Sequence, residues 1–238
     1  MQWVLGLENH ELIHTQALGS FVFFAYCLET LKKYIYVIDQ KDESIVRFEV
    51  ENSISDGIVG CTHIKCMTIT KDNNYLYLID AKSNILQFNV SNNFTLEKEY
   101  TSVIKNEISI LILTPDERYF IIGDAKGKIY KFKINYQDGT INLLGQKQVM
   151  EYSISSIVID QHSQSNYLYV ADVKGFIKKL FLQNNFETIF EFSKIHDFGI
   201  ESMIIPNNEY KLYSSDYFGN VNVWDIEEKS PIFEDSRL

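Results

Sequence analysis

One unit recurs five times along this chain, and no other feature restricts the possible folds as strongly. YIYVIDQKDESIVRFEV (34–50), YLYLIDAKSNILQFNV (75–90), YFIIGDAKGKIYKFKI (119–134), YLYVADVKGFIKKLFL (167–182) and KLYSSDYFGNVNVWDI (211–226) follow one template. An apolar strand leads to an aspartate, a short turn follows, and a second strand carries a large residue at a fixed offset. The aspartates are Asp39, Asp80, Asp124, Asp172 and Asp216, spaced by 41, 44, 48 and 44 residues. The large residue follows 8 positions later as Phe88, Phe132, Leu180 and Trp224, and 9 positions later as Phe48, where Asp42-Glu43-Ser44 predicts a one-residue bulge. A fixed period of this length marks equivalent supersecondary units that must stack on one another to bury a core.

Further strands flank the template. Phe23, Ile64, Ile108 and Ile200 each begin an apolar segment 16 residues before their aspartate, and Ile154 begins one 18 residues before, because His162-Ser-Gln-Ser lengthens a turn. Downstream, Thr95–Tyr100, Thr140–Gln146, Glu187–Phe192 and Pro231–Glu234 read as fourth strands. Four antiparallel strands in each period form one blade of a β-propeller. The five blades are expected at approximately 19–59, 60–104, 105–149, 150–195 and 196–238. In residues 1–18, Gln2–Glu8 and Glu11–Thr15 look like the third and fourth strands of an N-terminal half blade. Five full blades plus a half leave an unpaired edge, expected to be completed by a longer propeller, a partner or a compact five-blade closure.

Composition supports an all-β chain. Aromatic residues make up 14% of it, with 15 Tyr and 16 Phe against 3 Pro, and such side chains fit a pleated surface. A net charge of -10 and a pI near 5.0 oppose general affinity for nucleic acid, which requires a basic face. Three cysteines, Cys27, Cys61 and Cys66, are too few for a disulfide framework and suit a reducing compartment. The start has no basic and apolar signal pattern, and the longest apolar run, Phe21–Leu28, is too short for a membrane-spanning helix. A cytoplasmic protein without membrane contact is the expectation.

The last copy has His196 four residues before Ile200, Gly219 in its turn and Trp224-Asp225 at its end. It resembles a WD40 repeat. The other four copies lack Trp-Asp and a clear Gly-His, and the turn aspartate stands three residues before the glycine. At the level of blade pattern the resemblance covers nearly the whole chain. It implies a WD40-like β-propeller whose His-Asp-Ser-Trp hydrogen-bond network is incomplete in most blades. It also implies a non-catalytic scaffold for other proteins within a larger assembly, with a cytoskeletal or ciliary setting as the expectation. Two alternatives are a non-catalytic WD-repeat subunit of an RNA-modifying enzyme complex, which the Asp-x-x-Gly turns resemble, and a propeller enzyme with metal or quinone chemistry in its channel.

The residues themselves favour scaffold over chemistry. The five aspartates are expected to shape their turns by accepting backbone N–H groups, against the alternative of a carboxylate ring for cations. Gly123-Asp-Ala-Lys-Gly127 is no phosphate loop, because it joins two strands and lacks the Gly-Lys-Ser/Thr that opens a helix. Cys61, His63 and Cys66 lack a second Cys pair to complete a tetrahedral site. Asp197-Phe198-Gly199 matches the kinase DFG triplet by chance, with no accompanying catalytic or glycine-rich loop. No nucleophile arrangement is found, so neither cofactor nor metal is expected. Lys41, Lys82, Lys126 and Lys174, with Phe218 in the fifth copy, stand two residues after the aspartates. Equivalent turns meet on one face of a propeller, so these residues form a candidate docking face for an acidic segment or phosphate.

Overall fold

The computed structural model describes residues 66–70, 72, 74–79, 82–92, 95–101, 104–136, 140–160, 167–183, 185–192, 196–206 and 209–226 in full. It further describes the backbone strands His10–Leu18, Phe21–Leu28, Lys33–Asp39, Ile45–Glu49 and Pro231–Ile232. Among the described residues every regular element is a strand, and the strands form four-stranded antiparallel sheets. The chain divides into two compact units, Met1–Lys105 and Asn106–Leu238.

In the N-terminal unit the first sheet contains β1 (His10–Leu18), β2 (Phe21–Leu28), β3 (Lys33–Asp39) and β4 (Ile45–Glu49), in that order. β1 pairs with β2 from Leu18↔Phe21 outward. Two residues separate these strands, the length of a tight hairpin. The segment Glu11–Thr15, read from sequence as part of a half blade, thus lies inside β1 and joins the first sheet along β2, while Gln2–Glu8 lies outside the described residues. The extra residue of the first copy is not a ladder bulge. β3 and β4 pair without interruption from Tyr34↔Glu49 to Ile38↔Ile45, so the additional residue lengthens the turn. The second sheet runs β5 (Cys66–Ile69), β6 (Tyr75–Ile79), β7 (Ile85–Asn89) and β8 (Thr95–Tyr100).

The C-terminal unit holds three sheets. The third is β9 (Ile108–Leu113), β10 (Tyr119–Asp124), β11 (Lys128–Asn135) and β12 (Thr140–Gln148). The fourth is β13 (Ile154–Ile159), β14 (Tyr167–Asp172), β15 (Ile177–Phe181) and β16 (Glu187–Glu191), and the fifth is β17 (Ile200–Ile204), β18 (Lys211–Asp216), β19 (Val221–Asp225) and β20 (Pro231–Ile232). Each sheet is a meander whose strands follow chain order.

Stacking explains the apolar runs. In β14, Leu168 and Val170 pack with Ile121 and Ile129 of the third sheet, while Tyr169 and Ala171 pack with Ile200, Met203, Leu212 and Trp224 of the fifth. Alternate side chains point to opposite faces, so a strand covered on both faces is apolar almost throughout. The outer strands β12 and β16 instead carry only exposed and half-buried residues. A register shift recurs at one place in the second, third and fourth sheets, between Gln87 and Phe88, Lys131 and Phe132, and Lys179 and Leu180. It accompanies the large residue of the template as that residue turns into the core.

Candidate docking interface

The turn after each aspartate has one geometry throughout the C-terminal unit. Asp124 Oδ1 accepts from the amides of Lys126 (2.9 Å) and Lys128 (2.8 Å). Asp172 Oδ1 accepts from Lys174 (2.9 Å) and Phe176 (3.1 Å), and Asp216 Oδ1 from Phe218 (3.0 Å) and Asn220 (2.9 Å). The carbonyl of each aspartate accepts from the glycine three residues on. Those glycines have φ of +79° (Gly127), +91° (Gly175) and +83° (Gly219), a region that Cβ-bearing residues enter only at a cost. In the second sheet Ser83 takes the glycine's place and still has φ +64°. Asp39 ends β3 with its side chain outside the described residues, and Asp80 lies outside them altogether.

The second carboxylate oxygen differs from sheet to sheet. In the fifth, Asp216 Oδ2 is 3.2 Å from His196 Nδ1 and accepts from Asn220 Nδ2 at 2.9 Å. His196 Nε2 lies 2.8 Å from Ser214 Oγ, which also accepts from Trp224 Nε1 at 3.3 Å. The Asp216 carboxylate can only accept, so His196 Nδ1 carries the proton toward it, and this Nδ1–H tautomer leaves Nε2 to accept from the Ser214 hydroxyl. Burial, the largest influence on the Asp216 carboxyl, pushes its pKa up, but the hydrogen bonds from Asn220, His196 and Phe218 together outweigh it and hold the pKa below the ordinary value. Asp225, the other half of the Trp-Asp pair, sits at the end of β19 opposite Lys211.

The fourth sheet places Met150, Val170 and Leu180 where the fifth has His196, Ser214 and Trp224, and all three are buried in the apolar core. In the third, Asp124 Oδ2 accepts from Asn106 Nδ2 (2.7 Å) and from the Tyr130 hydroxyl (2.9 Å). Burial, followed by Asp124, raises the Tyr130 phenol to about 12.

These turns present the candidate docking residues. Lys126 and Lys174 are exposed and make no ion pair among the described residues, while Phe218 at the same position is 64% exposed. Lys82 is exposed on the equivalent turn of the second sheet, and Lys41 lies outside the described residues. The structure adds a group that no local pattern revealed. Phe198, Tyr217 and Phe218 cluster at the turn end of the fifth sheet, with the Phe198 and Phe218 ring centroids 4.0 Å apart. Together with Ser155, Val173 and Glu201 they line a cavity of about 410 Å³. Its available signal was the Asp197-Phe198-Gly199 triplet beside an aromatic pair in a turn. Cys66 is buried on β5, and Cys61 and His63 lie outside the described residues. Among the described residues no three His, Cys, Asp or Glu side chains are arranged to hold a metal ion, and no helix is long and apolar enough to cross a membrane.

No protein-family model matches this sequence, and no curated protein matches it. Solved structures do. A chain in a crystal structure of the mitotic checkpoint complex is similar over 91% of this chain and 61% of that one, with 11% identity and a TM-score of 0.69. A structure of U3-55K is similar over 71% of this chain and 50% of that one, with 15% identity and a TM-score of 0.58. The chain therefore spans about half to three fifths of these neighbours, which are WD40 propeller proteins. These likenesses, with the four-stranded antiparallel sheets, establish the fold as a WD40-like β-propeller.

Proposed function

We propose that this chain is a non-catalytic scaffold that holds other proteins in a larger assembly through the turn end of its sheets. The observation that carries this reading is the repeated placement of exposed Lys126, Lys174 and Phe218 on rigid turns, each turn anchored by a buried aspartate. The fold supports it, since WD40 propellers offer stiff surfaces whose loops vary while the blades persist. The lysines suit an acidic segment of a partner, because they are exposed cations on a molecule of net charge -10. Reversing Lys82, Lys126 and Lys174 to Glu should weaken binding of a fluorescein-labelled hexaglutamate peptide and remove its salt dependence. Unchanged binding would refute the acidic-segment reading. The proposed setting is cytoplasmic, in a cytoskeletal or ciliary assembly, and imaging of the tagged chain in its native cell tests it.

A further inference from the structure

In the fourth sheet an aromatic ring at the turn end faces a cation of the chain's own. Tyr152, two residues before β13, has Lys174 Nζ 5.7 Å from its ring centroid. The same two places in the fifth sheet are occupied by Phe198 and Phe218. Tyr217 joins them, its ring centroid 5.8 Å from that of Phe218. Phe198, Phe218 and Tyr217 are 45%, 64% and 76% exposed. Where the fourth sheet pairs an aromatic face with its own lysine, the fifth presents three rings, one of them a phenylalanine in place of that lysine.

The cavity beside these rings has the polar groups a cation needs. Ser155 and Glu201, each the second residue of its inner strand, both line it. Among the described residues Ser155 Oγ, which is shielded from solvent, has no hydrogen-bond partner, and Glu201 makes no ion pair. Val173 and Gly199 complete the wall. The loop is set by the backbone, since Tyr217 N donates to the Gly199 carbonyl at 3.1 Å and a Cβ on Gly199 would meet the Val173 carbonyl oxygen at 2.5 Å. The cavity is thus preformed rather than assembled by flexible side chains.

We propose that this cavity binds an arginine side chain from a segment of a partner protein. The guanidinium plane stacks on the Phe218 ring, with the Tyr217 ring standing nearly perpendicular beside it, and its N–H groups donate to the Glu201 carboxylate and to Ser155 Oγ. Arginine fits better than lysine because a planar fork can stack and donate at once. An acidic side chain would face Glu201, and an apolar one would leave Ser155 Oγ without a partner. The proposal rests on the scaffold reading for the source of its ligand and shares Phe218 with that docking face, but none of the lysines reversed in the hexaglutamate test lines the cavity.

The test titrates acetyl-Gly-Arg-Gly-amide into the ¹⁵N-labelled full chain and follows backbone amide shifts. Saturable shifts at Ser155, Phe198–Glu201 and Tyr217–Gly219 are expected, with the Gly-citrulline-Gly peptide about tenfold weaker because it keeps the shape and loses the charge. Glu201→Gln and Phe218→Ala should each weaken arginine binding several-fold. Phe218→Lys, which restores the lysine of the other turns, should abolish it by supplying an internal cation. Equal affinity for arginine and citrulline, tighter binding of Gly-Glu-Gly, or full binding by Phe218→Lys would each overturn the proposal. The hexaglutamate assay is independent: its failure with arginine binding intact would remove the acidic-segment reading and leave this site standing.

Discussion

Gly175 and Gly219 hold the same place in successive turns, with φ of +91° and +83°, so alanine at either position meets the same left-handed penalty of about 1 kcal/mol. They differ in what the new Cβ touches. At Gly175 it would lie 2.2 Å from the His196 carbonyl oxygen and 2.8 Å from that of Phe198, whereas at Gly219 nothing stands within 4 Å. A backbone carbonyl cannot rotate away as a side chain does, so the loop that carries His196 has to move. That movement adds an overpacking cost of about 1–3 kcal/mol. It also loosens the His196 contacts to Asp216 and Ser214 at 3.2 and 2.8 Å, a loss of about 1 kcal/mol. Gly175→Ala should therefore destabilise the chain by about 3–5 kcal/mol and Gly219→Ala by about 1. Urea unfolding followed by circular dichroism reads the difference. With a slope of about 2 kcal/mol per molar urea, the midpoints fall by about 2 M and about 0.5 M. Equal midpoint shifts would show that φ alone sets the cost and that the glycine is not needed for the close approach between neighbouring sheets.

The buried network of the fifth sheet should fail when one member is removed and recover when it is replaced as a set. Ser214→Val leaves Trp224 Nε1 and His196 Nε2 without their shared partner and should cost about 2–3 kcal/mol, whereas His196→Met, Ser214→Val and Trp224→Leu together, copying the fourth sheet, should destabilise by less than the sum of the three single changes. A triple variant as unstable as that sum would refute the set-wise reading. The pKa of Asp216 is lowered in the folded state from 3.8, so the stability it contributes is fully present above about pH 4 and is lost as pH falls through the folded value. Asp216→Asn should flatten the acid limb of a stability-against-pH curve, and an unchanged limb would contradict the assignment.

The strand order and the turns were legible because they follow from needs that recur at every copy. Phe88, Phe132, Leu180 and Trp224 are buried at one offset, and the candidate fourth strands Thr95–Tyr100 and Thr140–Gln146 lie within β8 and β12. Where pairing depends on an edge and not on a pattern, sequence reasoning went astray. The strand β1 joined the first sheet through a hairpin that looked like a blade boundary, and the longer first turn looked like a bulge. The aromatic cavity was illegible for a different reason. Its lining comes from positions 155, 173, 198 and 217, on two sheets, and only packing of successive blades brings them together. In sequence its most conspicuous part was a kinase-like triplet.

The five copies keep the turn aspartate but differ in the residues that surround it, and the energetics explain why. His196, Ser214 and Trp224 form a network, but apolar Met150, Val170 and Leu180 fill the same three places one sheet earlier. Burying an apolar side chain contributes about 1.5–3 kcal/mol, no less than the roughly 1 kcal/mol net of a hydrogen bond. A copy therefore loses nothing by exchanging the whole network for packing, provided that no member is left behind unpaired. The aspartate has no such substitute. Its Oδ1 takes two amides two and four residues on, as at Asp124 and Asp172, and no apolar group can accept them in a turn pressed against the next sheet. Divergence among blades is thus free wherever packing can replace polarity and blocked where the backbone itself needs an acceptor. The turn end keeps one geometry in the three copies of the C-terminal unit, and the side chains it carries there, lysine in two and phenylalanine in one, are left free to differ with what they bind.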